Sequence, residues 1–175
     1  KNNRMPSLKE IKGRIGSVKS TLKITSAMKL VASAKLRKAQ QTIEGMRPYE
    51  RKLQGMLNRL LAQTGGTGVS SWTARTGDAP ARRKVVLVAF ASNSSLCGAF
   101  NANAVRLALE VLKDYADDDV TVYSVGRKMA EAMKKVGYPS PEDFQKLADK
   151  PAYAPAAELA EKLMDDFQAG RLDRV

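Results

Sequence analysis

The sequence contains no histidine, and its single cysteine is Cys97. Without histidine, a catalytic triad with an imidazole base and a histidine-ligated zinc site are both excluded. One cysteine cannot form an internal disulfide or a cysteine-rich metal cluster, and it suits a reducing compartment. We therefore predict no catalytic residue, no metal ligand and no cofactor in this chain.

Long apolar runs are also scarce. The longest uninterrupted run covers residues 85–91, which is far shorter than the ~20 residues of a membrane-spanning helix. The N-terminal residues include cations but lack the apolar segment of a signal peptide. We therefore expect a protein that is soluble or peripheral to a membrane.

Negative charge is scarce in the first third of the chain. Residues 1–62 contain fifteen lysines and arginines against three acidic residues, so they account for the whole formal net charge of +12. The remaining residues carry fifteen charges of each sign. A strongly basic segment favours a polyanionic partner, which is a nucleic acid, an anionic membrane surface or an acidic protein collar. Composition alone does not choose among these three.

The same segment, from residue 7 to residue 63, carries an apolar seven-residue repeat. The large apolar residues of this seam are Leu8, Ile11, Ile15, Val18, Leu22, Leu36, Ile43, Met46, Leu53, Leu57 and Leu60. Alternating spacings of three and four residues place them on one stripe of a helix with 3.5 residues per turn, which is typical of a left-handed coiled coil. Thr25, Lys29 and Glu50 interrupt the seam. Because one helix cannot bury its own stripe, the repeat predicts a second helix as its partner.

Local signals predict the ends of this helix. Ser7 and Glu10 form a capping-box pattern, in which each side chain is expected to bind the backbone amide of the other residue. Pro48 removes an amide donor, but the heptad phase continues past it, so we predict a bend near residues 45–49 and no end there. Glycines from residue 65 onward are expected to end the helix and to begin a linker, in which Trp72 anchors against the next domain.

Strands and helices alternate after residue 82. Residues 84–91, which are apolar from Val85 onward, are typical of a buried strand, and residues 120–125 are predicted to form a second strand. Helical spacing recurs in three sets, which are Ala104, Ala108, Val111, Leu112 and Tyr115; Met129, Ala132, Met133 and Val136; and Ala156, Leu159, Ala160, Leu163, Met164 and Phe167. This alternation predicts a parallel sheet with right-handed crossovers. Residues 172–175 resemble the lead-in to a third strand.

We therefore predict an α/β protein with three segments. A long N-terminal coiled-coil helix covers residues 1–64, a linker loop covers residues 65–81, and a small parallel α/β, Rossmann-like domain covers residues 82–175. Because two strands make a poor parallel sheet, we expect the domain to be incomplete at its C-terminus.

The turn at residues 92–98 follows the first strand, at the end where open α/β sheets place ligands. An enzyme built here would use Cys97 or a serine as its nucleophile. The sequence offers neither a histidine base nor a Gly-x-Ser-x-Gly elbow. We therefore favour a structural turn that leads into a helix.

Four segments carry a resemblance to a known family. Residues 24–40, ITSAMKLVASAKLRKAQ, with RPY at residues 47–49, closely resemble the N-terminal helix of the γ subunit of F-type ATP synthases. Residues 95–101, SLCGAFN, are similar to that family's strand-to-helix turn, although Ser94 replaces its usual glycine. Residues 125–128 and 170–175 are similar to later landmarks in the same order. The family continues to a C-terminal helix that this sequence does not contain.

The resemblance implies a rotary shaft. In that family, the N-terminal helix pairs with a C-terminal helix of the same chain inside a ring of three α and three β subunits. Rotation of this shaft couples a proton-driven membrane ring to ATP synthesis or hydrolysis at the α and β subunits. The α/β domain would lie at the foot, against the membrane c-ring and the ε subunit.

The resemblance also implies that this chain is a non-catalytic subunit of a 3:3:1 complex that does not bind nucleic acid. The complex would be peripheral at the cytoplasmic face of a bacterial inner membrane, or alternatively at the matrix face of a mitochondrial one. The residues that match the part of the motif facing the acidic β-subunit loops are Met28, Lys29, Lys35, Arg37 and Lys38.

The first alternative is a basic coiled-coil nucleic-acid-binding protein, whose cations would neutralise phosphates. Its long helix would contain one aromatic residue, Tyr49, and few amide side chains to read bases. An enzyme built on the α/β domain is the second alternative.

Overall fold

The computed structural model describes residues 7–63 and 81–175. The chain divides into two units, Lys1–Gly65 and Gly66–Val175, which are described separately. The linker predicted for residues 65–81, with its capping glycines and Trp72, lies outside the described residues except at Ala81.

The first unit is the helix α1, Leu8–Gln63. At about 1.5 Å per residue, this helix is roughly 85 Å long. The backbone N–H of Glu10 donates to Oγ of Ser7 at 3.3 Å, so the predicted start at Ser7 is confirmed. The reciprocal half of the capping box is wrong, because the Glu10 carboxylate instead accepts a hydrogen bond from Arg14 at 3.4 Å.

Pro48 lies inside α1 without ending it. A proline this deep in a helix removes one backbone hydrogen bond and crowds the carbonyl of the preceding turn. The helix nevertheless continues for four further turns, as the unbroken heptad phase predicted. The bend expected near residues 45–49 stays a prediction.

The second unit is built on two parallel strands, β1 (Lys84–Phe90) and β2 (Asp119–Val125). Their register runs from Lys84 opposite Asp119 to Phe90 opposite Val125. The helix α2, Phe100–Asp114, connects them. Both strands lie within one residue of their predicted bounds, and the predicted parallel α/β class is confirmed.

Three further helices complete the unit, α3 (Arg127–Lys135), α4 (Gln145–Asp149) and α5 (Tyr153–Gln168). The link from β2 to α3 is Gly126, whose φ is +102°. A Cβ at this position would lie 2.1 Å from the carbonyl oxygen of Ala91. Only glycine lets the two backbones approach this closely.

The apolar core lies on both faces of the strand pair. One cluster joins the sheet to α2 and α3 through Ala89, Ala91, Ala108, Leu112, Val122, Met129 and Met133. The other joins it to α5 through Tyr123, Leu159, Leu163 and Leu172. Val122 and Tyr123 belong to different clusters because successive strand residues point to opposite faces.

The segment after α5 lies along the free edge of β1. The backbone N–H of Val86 donates to the carbonyl of Arg174 at 2.8 Å, and that of Asp173 donates to the carbonyl of Lys84 at 2.8 Å. The Val85–Arg174 bridge is parallel. The prediction that residues 172–175 lead into a third strand is therefore confirmed for one bridge, Val85–Arg174.

Candidate functional site

The surface of α1 contains the candidate site, and none of its residues is buried. The eleven large apolar residues of the seam are exposed to fractions between 41%, at Ile11, and 72%, at Leu8. The structure therefore displays the seam along one helix, and nothing among the described residues covers it.

Almost all cations of α1 lack an anionic partner among residues 7–63 and 81–175. The helix contains thirteen lysines and arginines against three glutamates. The one ion pair described within it joins Arg14 to Glu10 at 3.4 Å, and both side chains are more than half exposed. The other twelve cations have no ion pair with any residue that the structure describes. An exposed, unpaired set of this kind creates a positive potential along the whole helix.

The five residues predicted to face the β-subunit loops are all exposed. At about 100° per residue, they do not share one face of α1. Met28 and Lys35 lie on one flank of the seam, and Arg37 lies on the far side of the helix. Lys29 is on the seam itself, and Lys38 is on the side opposite to it. A single flat partner cannot contact all five, whereas a surrounding one can.

A second apolar surface lies off the seam, where the heptad pattern predicted none. Ile24 and Val31, one heptad apart, are 62% and 58% exposed on the side opposite the seam, and Leu30 is 74% exposed. In the same section, the seam carries Thr25 and Lys29 in place of large apolar residues. The missed signal was the set of large apolar residues outside the heptad positions. Between residues 24 and 31, the apolar surface of α1 therefore faces away from the seam.

Side-chain hydrogen bonds join the turn at residues 92–98 to α2, α3 and α4. The Asn101 side chain accepts from the backbone N–H of Ser92 at 3.0 Å and donates to the carbonyl of Ser94 at 2.9 Å. The Asn93 side chain accepts from the backbone N–H of Arg127 at 2.6 Å and donates to the carbonyl of Gln145 at 2.8 Å. The predicted turn and the helix start that follows it are confirmed, since the segment leads into α2.

Among residues 81–175, three ion pairs shift the pKa of at least one of their members. A side-chain hydrogen bond from Arg83, 2.7 Å from Asp118, lowers the pKa of the Asp118 carboxyl, and the same bond raises the pKa of Arg83. Lys128 lowers the pKa of Glu131 by a side-chain hydrogen bond. A side-chain hydrogen bond to Glu142 raises the pKa of Lys162. Each perturbed group has an oppositely charged partner that favours its ordinary charge, which is typical of structural ion pairs.

Metal-ligating clusters and membrane-spanning helices are both lacking in the two described ranges. No group of three or more metal-ligating side chains occurs among residues 7–63 and 81–175. None of the helices in those two ranges is both long enough and apolar enough to cross a membrane.

Comparison with known proteins gives one consistent result. The family model described as ATP synthase matches residues 7–175. The chain is 49% identical over 174 residues to the ATP synthase gamma chain of Bacteroides fragilis strain ATCC 25285, and 47% identical to that of Bacteroides thetaiotaomicron. It is 37% identical to the gamma chain of Heliobacterium modesticaldum. Each match covers 98% of this chain but only 57–58% of the relative.

Proposed function

The chain belongs to the ATP synthase γ-chain family, and from that premise we propose that it supplies the central rotary shaft of an F-type ATP synthase. In this role α1 couples rotation of a proton-driven membrane ring to ATP synthesis or hydrolysis at the α and β subunits. The chain spans less than three-fifths of the length of the curated relatives it matches.

The observation that carries the proposal is that no residue of α1 is buried. Burying one large aliphatic side chain contributes about 1.5–3 kcal/mol, and α1 leaves a whole seam of them uncovered. A helix of this length is not stabilised by its own propensity alone. The seam therefore fits a coiled coil with a second helix, which in the proposed shaft is the C-terminal helix of the γ chain.

A surrounding protein fits the rest of the α1 surface better than a nucleic acid does. The cations and Met28 encircle the helix, whereas a DNA duplex would contact it from one side. Ile24, Leu30 and Val31 are exposed, and a phosphate backbone offers them no apolar surface. An acidic collar with apolar patches, such as a ring of three α and three β subunits, satisfies both kinds of residue.

The proposed mechanism is mechanical and involves no catalysis by this chain. An asymmetric shaft presents different side chains to each β subunit, so each orientation stabilises a different β conformation. A rotation step then shifts the populations of those conformations, by as much as the differential contact energies allow. The residues proposed to make these contacts are Met28, Lys29, Lys35, Arg37 and Lys38.

The remaining partners and the location follow from the same proposal. The α/β domain, residues 82–175, would contact the ε subunit and the membrane c-ring, with residues 65–81 as the linker from a shaft helix at residues 1–64. The relatives named above are bacterial, which supports the cytoplasmic face of a bacterial inner membrane. The complex would be peripheral there and would not bind nucleic acid.

Co-purification tests the proposal directly. A γ chain of the relatives' full length that carries this sequence should purify with α and β subunits in a 3:3:1 complex. It should not bind duplex DNA at physiological salt. DNA binding that falls steeply with salt, without any 3:3:1 complex, would replace the shaft by the nucleic-acid-binding alternative.

Charge reversal tests the contact residues. The combined variant Lys35→Glu, Arg37→Glu and Lys38→Glu should reduce proton pumping per ATP hydrolysed several-fold, because the three cations face acidic loops. Helix content should stay unchanged, since all three side chains are exposed. The control reverses Arg51, Lys52 and Arg59, which lie on the same helix outside the motif. Equal coupling in both variants would contradict the assignment.

A further inference from the structure

Lys29 occupies a heptad position on the seam of α1, with Leu22 and Leu36 one heptad away on either side. Its side chain is exposed in the structure, as are those of the seam leucines. If a second helix covers the seam, the Lys29 ammonium enters the interface with them. A charge that loses water in this way needs a partner or a route back to solvent.

No carboxylate of α1 is placed to pair with Lys29. The residues three and four positions away on either side are Thr25, Ser26, Ala32 and Ser33. The nearest acidic residues along α1 are Glu44 and Glu10. At 1.5 Å per residue, these lie roughly 22 Å and 28 Å from Lys29 along the helix axis. A carboxylate partner must therefore come from another helix.

The seam has room for such a partner beside Lys29. The neighbouring seam residues, Thr25 and Ala32, are smaller than the leucines and isoleucines that occupy most of the other seam positions. The Thr25 hydroxyl lies 2.9 Å from the carbonyl oxygen of Thr21 and 3.1 Å from that of Leu22. Because its proton is used within α1, Thr25 does not compete with the ammonium as a donor to that carboxylate. The section therefore combines a lone cation with space for a longer side chain opposite.

We propose that Lys29 forms an ion pair across the seam with an aspartate or glutamate of the helix that packs on α1. One charged pair at a seam position fixes the register of two helices, because every other alignment leaves the ammonium facing apolar side chains. The inference rests on the proposed coiled coil and adds to it the chemistry of the facing residue. Lys29 is then a positioning residue that sets which faces of the shaft point outward, and the direct contacts with the β subunits are made by Met28, Lys35, Arg37 and Lys38.

The first test substitutes Lys29→Met in a γ chain of the relatives' full length and measures its unfolding in denaturant. Loss of the ammonium leaves the facing carboxylate unpaired, so the ratio of folded to unfolded chain should fall about tenfold or more. Lys29→Arg keeps the charge and should restore most of that ratio. A Lys29 that only extends to solvent predicts the opposite sign, since methionine adds apolar surface to the seam. A gain in stability would therefore overturn the proposal.

The second test identifies the partner by exchanging charges. Lys29→Glu should destabilise the chain more than Lys23→Glu, a control six residues away and off the seam. One glutamate or aspartate changed to lysine elsewhere in the chain should then restore at least half of the loss. Rescue at one position, and not at others, supports the pair. Failure of every acidic position to rescue Lys29→Glu overturns it.

A separate variant distinguishes this proposal from the coiled coil on which it rests. Leu22→Ala removes apolar contact at the neighbouring heptad without touching a charge. If Leu22→Ala has no effect on unfolding of the full-length chain, α1 has no helix partner and the coiled coil itself fails. If Leu22→Ala destabilises the chain while Lys29→Met does not, only the ion pair fails.

Discussion

The long helix and the α/β unit both carry many large apolar side chains, but they use them in opposite ways. In α1 no residue is buried. In the α/β unit, Met133, Val122 and Met129 are at most 1% exposed, and two clusters pack on the two faces of the strand pair. The charges differ as well, since α1 has thirteen cations against three anions, while residues 63–175 balance.

The difference teaches where each unit gets its stability. The α/β unit buries its own core and depends on close packing within the chain. The stripe of α1 gains its hydrophobic free energy only when another surface covers it. Binding of that surface therefore stabilises α1 by mass action. Substitutions in the α/β unit should therefore change the stability of the chain itself. Substitutions on the stripe of α1 should change stability only when a partner covers the stripe.

The largest expected effect is at Gly126. Gly126→Ala places a Cβ 2.1 Å from the Ala91 carbonyl oxygen at a φ of +102°, so it should cost more than about 4 kcal/mol of unfolding free energy. Gly137→Ala is the matched control, because its φ is +91° but no atom lies within 4 Å of the added Cβ. That control should cost about 1–2 kcal/mol. Equal losses in denaturant unfolding would show that the close approach to Ala91 is absent.

The next comparison sets a core residue against a seam residue. Met133→Ala removes a side chain that is 0% exposed and should cost about 2–5 kcal/mol in the 175-residue chain. Leu36→Ala removes a side chain that is 59% exposed, so in the same chain it should cost less than about 0.5 kcal/mol. In an assembled complex, Leu36→Ala should become destabilising. Similar losses from both variants in the 175-residue chain would mean that α1 is already buried there.

Acid should weaken the α/β unit through Asp118. The pKa of Asp118 in the folded chain is lowered from its ordinary 3.8, chiefly by a side-chain hydrogen bond from Arg83. Its contribution to stability is therefore complete above pH 3.8 and is lost as the pH falls through the folded-state pKa.

Asp118→Asn should lower the stability at pH 7 and flatten its decline below pH 4. Asp117→Asn, at the adjacent exposed position, is the control. Thermal unfolding between pH 2 and pH 7 measures both. An unchanged acid limb in Asp118→Asn would argue against the Arg83 pair.

The smallest expected effect is a gain in α1. Gly13→Ala adds a Cβ with no atom within 4 Å and removes a poor helix former from the helix interior. The helix should gain about 0.5–1 kcal/mol, seen as higher helical circular dichroism on warming. The sign is opposite to that expected at Gly126. A loss of helicity in the 175-residue chain would show that Gly13 already contacts something there.

Much of the fold was predictable because its signals are local. The Ser7 cap, the heptad spacing and the apolar run of β1 each depend on residues a few positions apart. The capping box failed at Glu10 because Arg14, one turn later, offers a charged partner that the pattern did not weigh. The short helix α4 was not predicted, since its five residues give no full apolar period.

Only part of the candidate site could be predicted from the sequence. The basic charge and the seam of α1 follow from periodicity, and the structure adds that Met28, Lys29, Lys35, Arg37 and Lys38 lie on different sides of the helix. The outward apolar surface at Ile24 and Val31 was overlooked, because a search for one seam ignores residues outside it. Which partner atoms meet these side chains stays a prediction, because it depends on surfaces outside this chain.

The sequence by itself determined the length of α1, the sign of its charge and its apolar stripe. A helix repeats its geometry every few residues, so these three properties follow from the residues in order. Only the tertiary structure decided how Gly126 meets Ala91, how Asn93 joins Arg127 to Gln145, and how Arg174 lies beside Val86. These contacts join residues far apart in the chain, so no local pattern encodes them. They form when the strands and helices pack together, because packing brings close residues that are far apart in the sequence.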